Sequence, residues 1–325
     1  MNGEISSFVE NPLVSIIVIT YNQEAYICEA LNSILSQQCN FEFEIIIGED
    51  FSTDNTRKIC LEYQEKYPEK INLLLQEKNK GVITNYIESI KLCRGRYIAQ
   101  CAGDDYWCDN LKLQKQIDFL NVNQDYGFVR TAYFGLIDTK GKLTKQAAHS
   151  PAVGNVFDIA KYGTIASAPT VCFKRELLNH VDFNEFIVRK FSMEDYPMQA
   201  IMAKHTKFGF IPDYTAVYRL INGSVSKPVD RGKIMYYNEG YVAVQRYLSE
   251  LFPGETDFEE NTARNFLLHK RLKFAFEDFD FTEARRLANQ FTAPNHKERR
   301  LINFVNNRLI FLLGCVYKRA ISYRP

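Results

Sequence analysis

Two pairs of acidic residues, each directly after an apolar run, are the side chains of this sequence best placed to do chemistry. Glu49 and Asp50 follow one such run, and Asp104 and Asp105 follow another. A β-branched apolar run is typical of a buried strand, and ligands of an open α/β sheet bind at the carboxyl ends of its strands. Carboxylates crowded there favour Mg²⁺ or Mn²⁺, and a bound divalent cation suits a diphosphate. The alternative is that each pair is a solvated loop feature, because acids are common where loops and helices begin.

The elements that must position these acids alternate between strand and helix up to about residue 125. That alternation favours an α/β fold with a doubly wound, mostly parallel sheet. Apolar runs predict strands at residues 12–20, 43–48, 71–75 and 97–101, and helical spacing predicts helices at 24–38, 54–67, 82–93 and 111–121.

Beyond residue 125 the pattern changes, with a hairpin-like turn at 138–142 and a helical composition from residue 232 onward. The sequence therefore predicts a boundary near residue 230, between a catalytic domain over 1–230 and a helical C-terminal extension over 231–325. Strands are predicted at 126–137, 208–212 and 215–218, and helices at 176–180, 195–204, 241–251, 260–276, 283–290 and 297–323.

The composition is that of an ordinary globular protein, with 46% hydrophobic and 24% charged residues and a net charge of +1. It gives no sign of a nucleic-acid partner. The eight cysteines include no C-x-x-C pair, which argues against a zinc or redox motif. Neither a signal peptide nor an apolar run long enough to span a bilayer is evident. These features predict a cytoplasmic protein.

The polar motifs, taken in order, resemble those of the family 2 glycosyltransferases, which have a GT-A fold. The resemblance implies a metal-dependent, inverting, hexosyltransferase-like enzyme that moves a sugar from a nucleotide-diphosphate donor, with UDP preferred, to a glycan or lipid-linked acceptor in surface polysaccharide synthesis. It also divides the catalytic domain into a nucleotide-sugar half over 12–125 and an acceptor half over 126–230. The matching segments are 14–22, 49–54, 79–85, 95–98, 103–107, 194–195 and 218–226.

The resemblance assigns roles on the donor side residue by residue. It places Asp50 where a carboxylate accepts the uracil imide N–H, and it makes Asp105 the direct ligand of Mn²⁺ or Mg²⁺. Asp104 is placed near the ribose or the metal, and Arg219 in a loop that closes over the diphosphate. The remaining donor-binding positions are Thr20, Tyr21 and Glu24, which border the base and ribose, and Asn85.

On the acceptor side the resemblance makes Asp195 the general base that takes the proton of the acceptor hydroxyl. Glu194 would orient that base or bind the acceptor. The alternative is that Glu194 and Asp195 only begin the next helix, where acids favour the helix dipole.

Several positions depart from the family pattern. Ala102 and Thr84 stand where an acid and an arginine are frequent, and Leu220 stands in place of a common histidine. Glu49 replaces the usual aspartate, and Phe51 replaces a small residue.

Two other functions stay open at this point. A sugar nucleotidyltransferase shares the nucleotide-binding sheet, but it would usually carry a loop rich in glycine and basic residues after the first strand, and residues 20–24 contain neither. A non-catalytic scaffold that binds nucleotide sugars is the second alternative.

The C-terminal segment 297–325 is basic and amphipathic. It suits either peripheral contact with the inner face of the membrane or packing against the catalytic domain or a second subunit.

Overall fold

The structure is a computed structural model, and its chain divides into two compact units, residues 1–221 and 222–325. No helix among the described residues combines the length and apolar character needed to cross a membrane. The predicted boundary near residue 230, and the split of the first unit into a donor half and an acceptor half, stay predictions. The described residues are 11–137, 141–146, 157, 163, 166–224, 227–307 and 311–312.

The described part of the first unit contains one sheet of nine strands, in the order β3-β2-β1-β4-β8-β6-β9-β5, with β7 paired to β6. Strand β1 is parallel to both β2 and β4, β2 is parallel to β3, and β6 is parallel to β9. The predicted α/β, mostly parallel sheet is confirmed. The strands are β1 Val14–Thr20, β2 Phe43–Glu49, β3 Ile71–Leu75, β4 Tyr97–Gln100, β5 Tyr106–Trp107, β6 Tyr126–Ile137, β7 Lys142–Gln146, β8 Val171–Lys174 and β9 Lys207–Arg219.

Helices connect the parallel strands, as expected for crossover connections. Two 3₁₀ stretches, Ala168–Thr170 and Arg175–His180, flank β8. The helices with described bounds in the first unit are α1 Ile27–Leu35, α2 Thr56–Lys66, α3 Val82–Ile90, α4 Lys112–Val122, α5 Phe183–Val188 and α6 Asp195–His205.

The core of the first unit explains why the first strands are continuous apolar runs. Ile16 and Val18 of β1 and Ile45 of β2 are fully buried and pack in one cluster with Leu31 and Ile34 of α1. Each such side chain contributes about 1.5–3 kcal/mol by leaving water. The acidic residues at the ends of β2 and β4 are thus carried by strands that are buried along their whole length.

The sequence prediction was wrong where it divided 207–219 into two short strands. The chain forms the single strand β9, because a bulge joins the two predicted segments. Thr131 of β6 pairs with Ile211, but its neighbour Ala132 pairs with Tyr214, so Pro212 has no direct partner in the ladder. A proline is tolerated in a strand at such a bulge.

The described part of the second unit is helical, as predicted. Leu272, Leu287 and Phe311 are buried in its core. The predicted helix over 297–323 is described only in part, because residues 308–310 and 313–325 lie outside the described residues, as do 138–140 of the predicted turn. The helices are α7 Arg231–Leu251, α8 Glu260–Glu277, α9 Phe281–Ala288 and α10 His296–Asn306.

Candidate active site

Three loops meet at the carboxyl end of β1. The Asp50 N–H donates to the Thr20 carbonyl (3.1 Å), and the Gly103 N–H donates to the Ile19 carbonyl (3.0 Å). A Cβ added to Gly103 would lie 2.7 Å from the Thr20 hydroxyl oxygen, so the loop after β4 approaches β1 as only glycine allows. The loops that carry the two predicted acidic pairs therefore lie together at the carboxyl end of the sheet.

Asp50 is 3% exposed, and its carboxylate is held by the loop after β3. Its two oxygens accept the backbone N–H groups of Lys80 (2.7 Å) and Gly81 (2.9 Å). Burial raises the pKa of Asp50, while these two N–H groups lower it. Each carboxylate oxygen has a second lone pair, so the group is fixed in place and can still accept a further hydrogen bond.

Both carboxylate oxygens of Glu49, the other member of the first pair, make contacts within the protein. One carboxylate oxygen accepts the Ser52 N–H (2.6 Å), and the other is ion-paired with Arg57. Arg57 in turn donates to the Gln76 carbonyl (2.6 Å). Glu49 therefore holds the loop that carries Asp50, and the two neighbouring acids have separate tasks.

Phe51 has a positive φ of 62°, at the position where the family pattern has a small residue. The left-handed region costs a residue with a side chain about 1 kcal/mol or more. The guanidinium of Arg57 lies 5.0 Å from the ring centroid, which is a cation–π contact. That contact offsets part of the backbone strain.

The three residues predicted to border the base and ribose lie beside β1, but in different surroundings. Thr20 is buried and donates to Gln23 Oε1 (2.8 Å), whereas the ring of Tyr21 is 43% exposed. The Glu24 carboxylate accepts both the backbone N–H (2.8 Å) and the side-chain amide (2.7 Å) of Asn55. Glu24 therefore also has a structural role at the start of α2.

Asn85 is fully buried in α3 and contacts other parts of the protein. Its amide donates to the Gly48 carbonyl (2.8 Å) and accepts from Gln76 (3.1 Å). These bonds tie α3 to β2 just before Asp50. The structure gives Asn85 a supporting position, and its predicted direct role in donor binding stays a prediction.

The structure brings Asp104, Asp105 and Arg219 together. The backbone N–H of Arg219, at the end of β9, donates to Asp105 Oδ1 (2.8 Å), and its guanidinium Nη1 donates to the Asp104 carbonyl (2.7 Å). The same guanidinium is ion-paired with Glu29 of α1. Residues more than 100 positions apart in sequence thus form one polar cluster beside β1.

Two aromatic rings enclose the Arg219 guanidinium. Tyr26 and Tyr106 each have their ring centroid 4.9 Å from its central carbon. Arg219 is only 7% exposed, so its charge is fixed rather than carried on a mobile surface side chain. Of the loop predicted to follow it, residues 225 and 226 lie outside the described residues.

The donor set at Asp104 and Asp105 fits a divalent cation. Asp105 is 1% exposed, and its Oδ2 accepts no hydrogen bond from any described residue. Burial, followed by the neighbouring charge of Asp104, raises the pKa of Asp105 well above its usual range. A buried carboxylate oxygen without a donor costs free energy that a cation would recover. The described residues contain no group of three or more acidic, histidine or cysteine ligands, so the remaining ligands would be phosphate oxygens or water.

Glu194 and Asp195 lie at the start of α6 and interact electrostatically with the buried Tyr86 of α3. The Tyr86 hydroxyl is hydrogen-bonded to Gln100, the last residue of β4. Asp104 and Asp105 follow the same strand, so Glu194 and Asp195, the third predicted acidic pair, lie near the same end of the sheet. Burial and the charge of Asp195 raise the pKa of Glu194 to about 8.

Sequence reasoning missed four residues of this region. Gln23 is hydrogen-bonded to Asp104, and Glu29 is paired with Arg219. Tyr86 and Gln100 form the contact beside the Glu194 pair. Only Gln100 carried a signal, as a polar residue at the end of an apolar run. Glu29 and Tyr86 lie on the helices α1 and α3, and Gln23 lies in the loop after β1.

Residues 15–181 match the family described as Glycosyl transferase family 2, and the chain belongs to that family. A putative teichuronic acid biosynthesis glycosyltransferase, TuaG of Bacillus subtilis, is 32% identical over 217 residues, which is 66% of this chain and 82% of TuaG. An uncharacterised protein of Mycobacterium tuberculosis is 45% identical over 108 residues, 33% of this chain. The match spans only 31% of that mycobacterial protein.

Solved structures of low sequence identity share the fold. S. aureus TarS 1–349 in complex with UDP-GlcNAc has a TM-score of 0.58 at 19% identity, covering 96% of this chain and 93% of that one. The mannosyltransferase PcManGT of Pyrobaculum calidifontis, in complex with GDP-Man and Mn²⁺, has a TM-score of 0.50 at 14% identity, covering 96% and 89%. These likenesses agree with the GT-A expectation for the fold.

Proposed function

We propose that this glycosyltransferase is metal-dependent and inverting, and that it moves a hexose from a UDP-sugar to a glycan or lipid-linked acceptor in surface polysaccharide synthesis. The observation that carries the proposal is the cluster of Asp104, Asp105 and Arg219 at the carboxyl end of the sheet. It places carboxylates that need a cation next to a fixed guanidinium, and this combination suits a diphosphate.

The described residues divide the work of donor binding. Asp50 accepts the imide N–H of the base, and Arg219 provides fixed positive charge for the diphosphate. Asp105 and Asp104 would hold Mn²⁺ or Mg²⁺, which would neutralise the negative charge that develops on the leaving nucleotide. The burial of Asp105 supports this role, because a charge interaction is stronger where water is excluded.

On the acceptor side Asp195 takes the proton of the attacking hydroxyl as that oxygen displaces the nucleotide in a single inverting step. The raised pKa of Glu194 supports this division of roles. A neutral Glu194 allows Asp195 to remain ionised beside it, since two carboxylates this close do not both ionise easily.

Relatives and structural neighbours support the substrate class. TarS was solved with UDP-GlcNAc and PcManGT with GDP-Man and Mn²⁺. TuaG and the minor teichoic acid biosynthesis protein GgaB of Bacillus subtilis, which is 21% identical over 301 residues, carry names from cell-wall polymer synthesis. UDP and an anionic or lipid-linked glycan are the donor nucleotide and acceptor that these names favour.

A thermal-shift screen of nucleotides and nucleotide sugars, with and without Mn²⁺, tests the proposal. A ligand that binds the native state raises the unfolding midpoint. We expect UDP and one UDP-sugar to raise it most, and only when Mn²⁺ is present. A full set of uridine and guanosine ligands that leaves the midpoint unchanged would contradict the proposed donor class.

Replacing Asp50 with alanine is expected to weaken UDP binding about tenfold or more, because a hydrogen bond to a charged group contributes about 1.5–3 kcal/mol. Calorimetric titration of UDP with Mn²⁺ measures the change. Asp118→Ala is the matched control, since Asp118 is an exposed acid of α4 whose carboxylate accepts from Gln114. Equal UDP affinity in the parent and Asp50→Ala would remove Asp50 from the base site.

Replacing Glu194 with glutamine is expected to remove a change in turnover near pH 8 and to leave the acidic limb of the pH–rate profile in place. The pKa of Glu194 is raised from 4.5 to about 8, so the pair with Asp195 retains a proton near neutral pH. Ionisation of Glu194 then places a second negative charge beside Asp195, and glutamine cannot ionise. A change in turnover near pH 8 that persists in Glu194→Gln would show that another group causes it.

The same variant is expected to change the pH dependence of stability. A raised native pKa means that the folded protein binds more protons than the unfolded chain between pH 4.5 and about 8. The stability contributed by this group is therefore lost as pH rises through that window. Thermal unfolding at a series of pH values should show a shallower decline for Glu194→Gln than for the parent, and parallel curves would contradict this assignment.

A further inference from the structure

A polar cavity lies at the opposite, amino end of the parallel strands, where β1 and β4 begin. It has a volume of about 450 Å³, within the range of pockets that hold small ligands. Val14 of β1 pairs with Tyr97 of β4, and the cavity lies against the residues that precede both strands. Its lining residues are Asn11, Pro12, Arg94, Arg96, Lys174, Arg175, Glu176 and Asn179.

We call this cavity, with the lining residues just given, the basic cleft. It lies far from the acidic site that contains Asp105. Strand β1 has seven residues. At a rise of about 3.3 Å per residue, its two ends lie roughly 20 Å apart. A single donor molecule bound at the Asp105 end does not reach the cleft. A ligand in the cleft would therefore be a different molecule or a distant part of a long one.

The charge of the cleft is strongly one-sided. Four of its lining residues are cationic, and Glu176 is the single acid among them. The whole chain has a net charge of only +1, so this concentration of positive charge is local. A concave wall with one sign of charge raises the local concentration of ligands of the opposite sign.

Bonds to the protein hold the cations in place. Arg94 is ion-paired with the buried Glu44 (2.6 Å), whose other oxygen accepts from Ser15 (2.6 Å). Arg175 Nε donates to the Gly95 carbonyl (2.8 Å), which leaves its guanidinium further donors. A Cβ on Gly95 would lie 2.5 Å from the Ser15 nitrogen, so the turn is packed closely against β1.

The other two cations, Lys174 and Arg96, make weaker contacts with the protein. Lys174 Nζ donates to the Gln124 carbonyl (2.9 Å), and the Arg96 guanidinium lies 5.4 Å from the ring centroid of Tyr97. Neither cation has an acidic partner among the ion pairs of the described residues. These two positions are therefore the ones at which an external anion would gain most.

We propose that the basic cleft is a binding site for phosphate groups, separate from the donor site. Arginine and lysine together favour phosphate, because the planar guanidinium gives paired hydrogen bonds and the ammonium adds a point charge. Closely spaced phosphates, as in a phosphodiester polymer or an array of lipid headgroups, match several cations better than one isolated anion does. The inference does not depend on the proposed donor or metal.

The test uses the full chain and inorganic tripolyphosphate in metal-free buffer, with binding measured by calorimetry. We expect binding that weakens as salt is added and that UDP displaces no better than inorganic pyrophosphate does, because the base of UDP has no role in the cleft. The variants Arg96→Gln and Lys174→Gln are expected to weaken it about tenfold or more, since each loses a charged hydrogen bond. Lys58→Gln, in an exposed lysine of α2, is the matched control and should bind as the parent does.

A variant that binds tripolyphosphate more tightly than the parent does not owe its effect to a folding defect. Glu176→Gln removes the single acid of the lining and is expected to tighten tripolyphosphate binding by up to about fivefold. Absence of tripolyphosphate binding, displacement by UDP at much lower concentration than by inorganic pyrophosphate, or equal affinity in the parent and the Arg96 and Lys174 variants would overturn the proposal.

A second arm identifies the source of the phosphate. Vesicles of phosphatidylglycerol and phosphatidylcholine in equal parts, and vesicles of phosphatidylcholine alone, are floated with the parent and with Lys174→Gln. Flotation that requires phosphatidylglycerol and is lost in the variant assigns the cleft to lipid headgroups. Tripolyphosphate binding without such flotation assigns it to a soluble phosphate polymer, and either result supports a phosphate site.

Discussion

Replacing Asp105 with alanine is expected to abolish sugar transfer and to remove the stabilisation that Mn²⁺ gives to the UDP complex. The buried Oδ2 of Asp105 accepts no hydrogen bond from a described residue, and it is the oxygen that a cation would occupy. Charge stabilisation by a metal contributes several kcal/mol to such reactions, so the loss should be about 10³-fold or more. Turnover and the Mn²⁺-dependent thermal shift are measured on the same preparation.

Asp105→Asn removes the negative charge of the side chain but keeps its size and shape. Its amide oxygen can still accept the Arg219 N–H that Asp105 accepts at 2.8 Å, but it provides no carboxylate for a cation. We expect it to fold like the parent and to lose transfer as the alanine variant does. Asp118→Asn, in an exposed acid, should retain full turnover. If Asp105→Asn keeps both its rate and its metal dependence, the metal ligand lies elsewhere.

Replacing Asp195 with asparagine is expected to lower turnover by about 10²–10⁴-fold while UDP and Mn²⁺ still bind, because general-base catalysis contributes a factor of that order. The amide keeps the size of the side chain and an oxygen for the Tyr196 N–H, which Asp195 accepts at 2.7 Å. It cannot accept the proton of the acceptor hydroxyl. The measurement compares kcat with donor affinity in the same variant.

Asp182→Asn is the control for that experiment. Asp182 is an acid at another helix start, where it caps α5 by accepting the Asn184 N–H at 2.9 Å, and asparagine is as good a cap. Its turnover should match the parent. If Asp195→Asn is within a fewfold of the parent rate, the base is another group, and Glu194 is the first candidate.

The sequence predicted the fold well where local pattern and burial agree. The runs that became β1, β2 and β4 are apolar because both faces of these strands are covered, and their ends could be located from Thr20, Glu49 and Gln100. The strand β5 was not predicted, because two residues, Tyr106 and Trp107, are too short to show a period. The continuity of β9 across residues 213 and 214 was not predicted, because the strand passes through a bulge there.

The contacts within the site could not be predicted in the same way. Arg219 was placed near the diphosphate, but its pairing with Glu29 and its two aromatic neighbours arise from strands and helices distant in sequence. Glu49 and Asp50 are adjacent and chemically alike, and only the positions of Arg57 and Lys80 show that one is structural and the other available. Such differences depend on tertiary structure.

The most direct test of the central claim is nucleotide release from a panel of UDP- and GDP-sugars, measured with Mn²⁺ and again with a chelator. We predict slow hydrolysis of one UDP-sugar by the parent, abolished by the chelator and absent in Asp105→Ala. Two results would contradict the account: release that continues unchanged in the chelator, or a UDP-sugar that binds but is never turned over when glycan and lipid-linked acceptors are supplied, as a scaffold would behave.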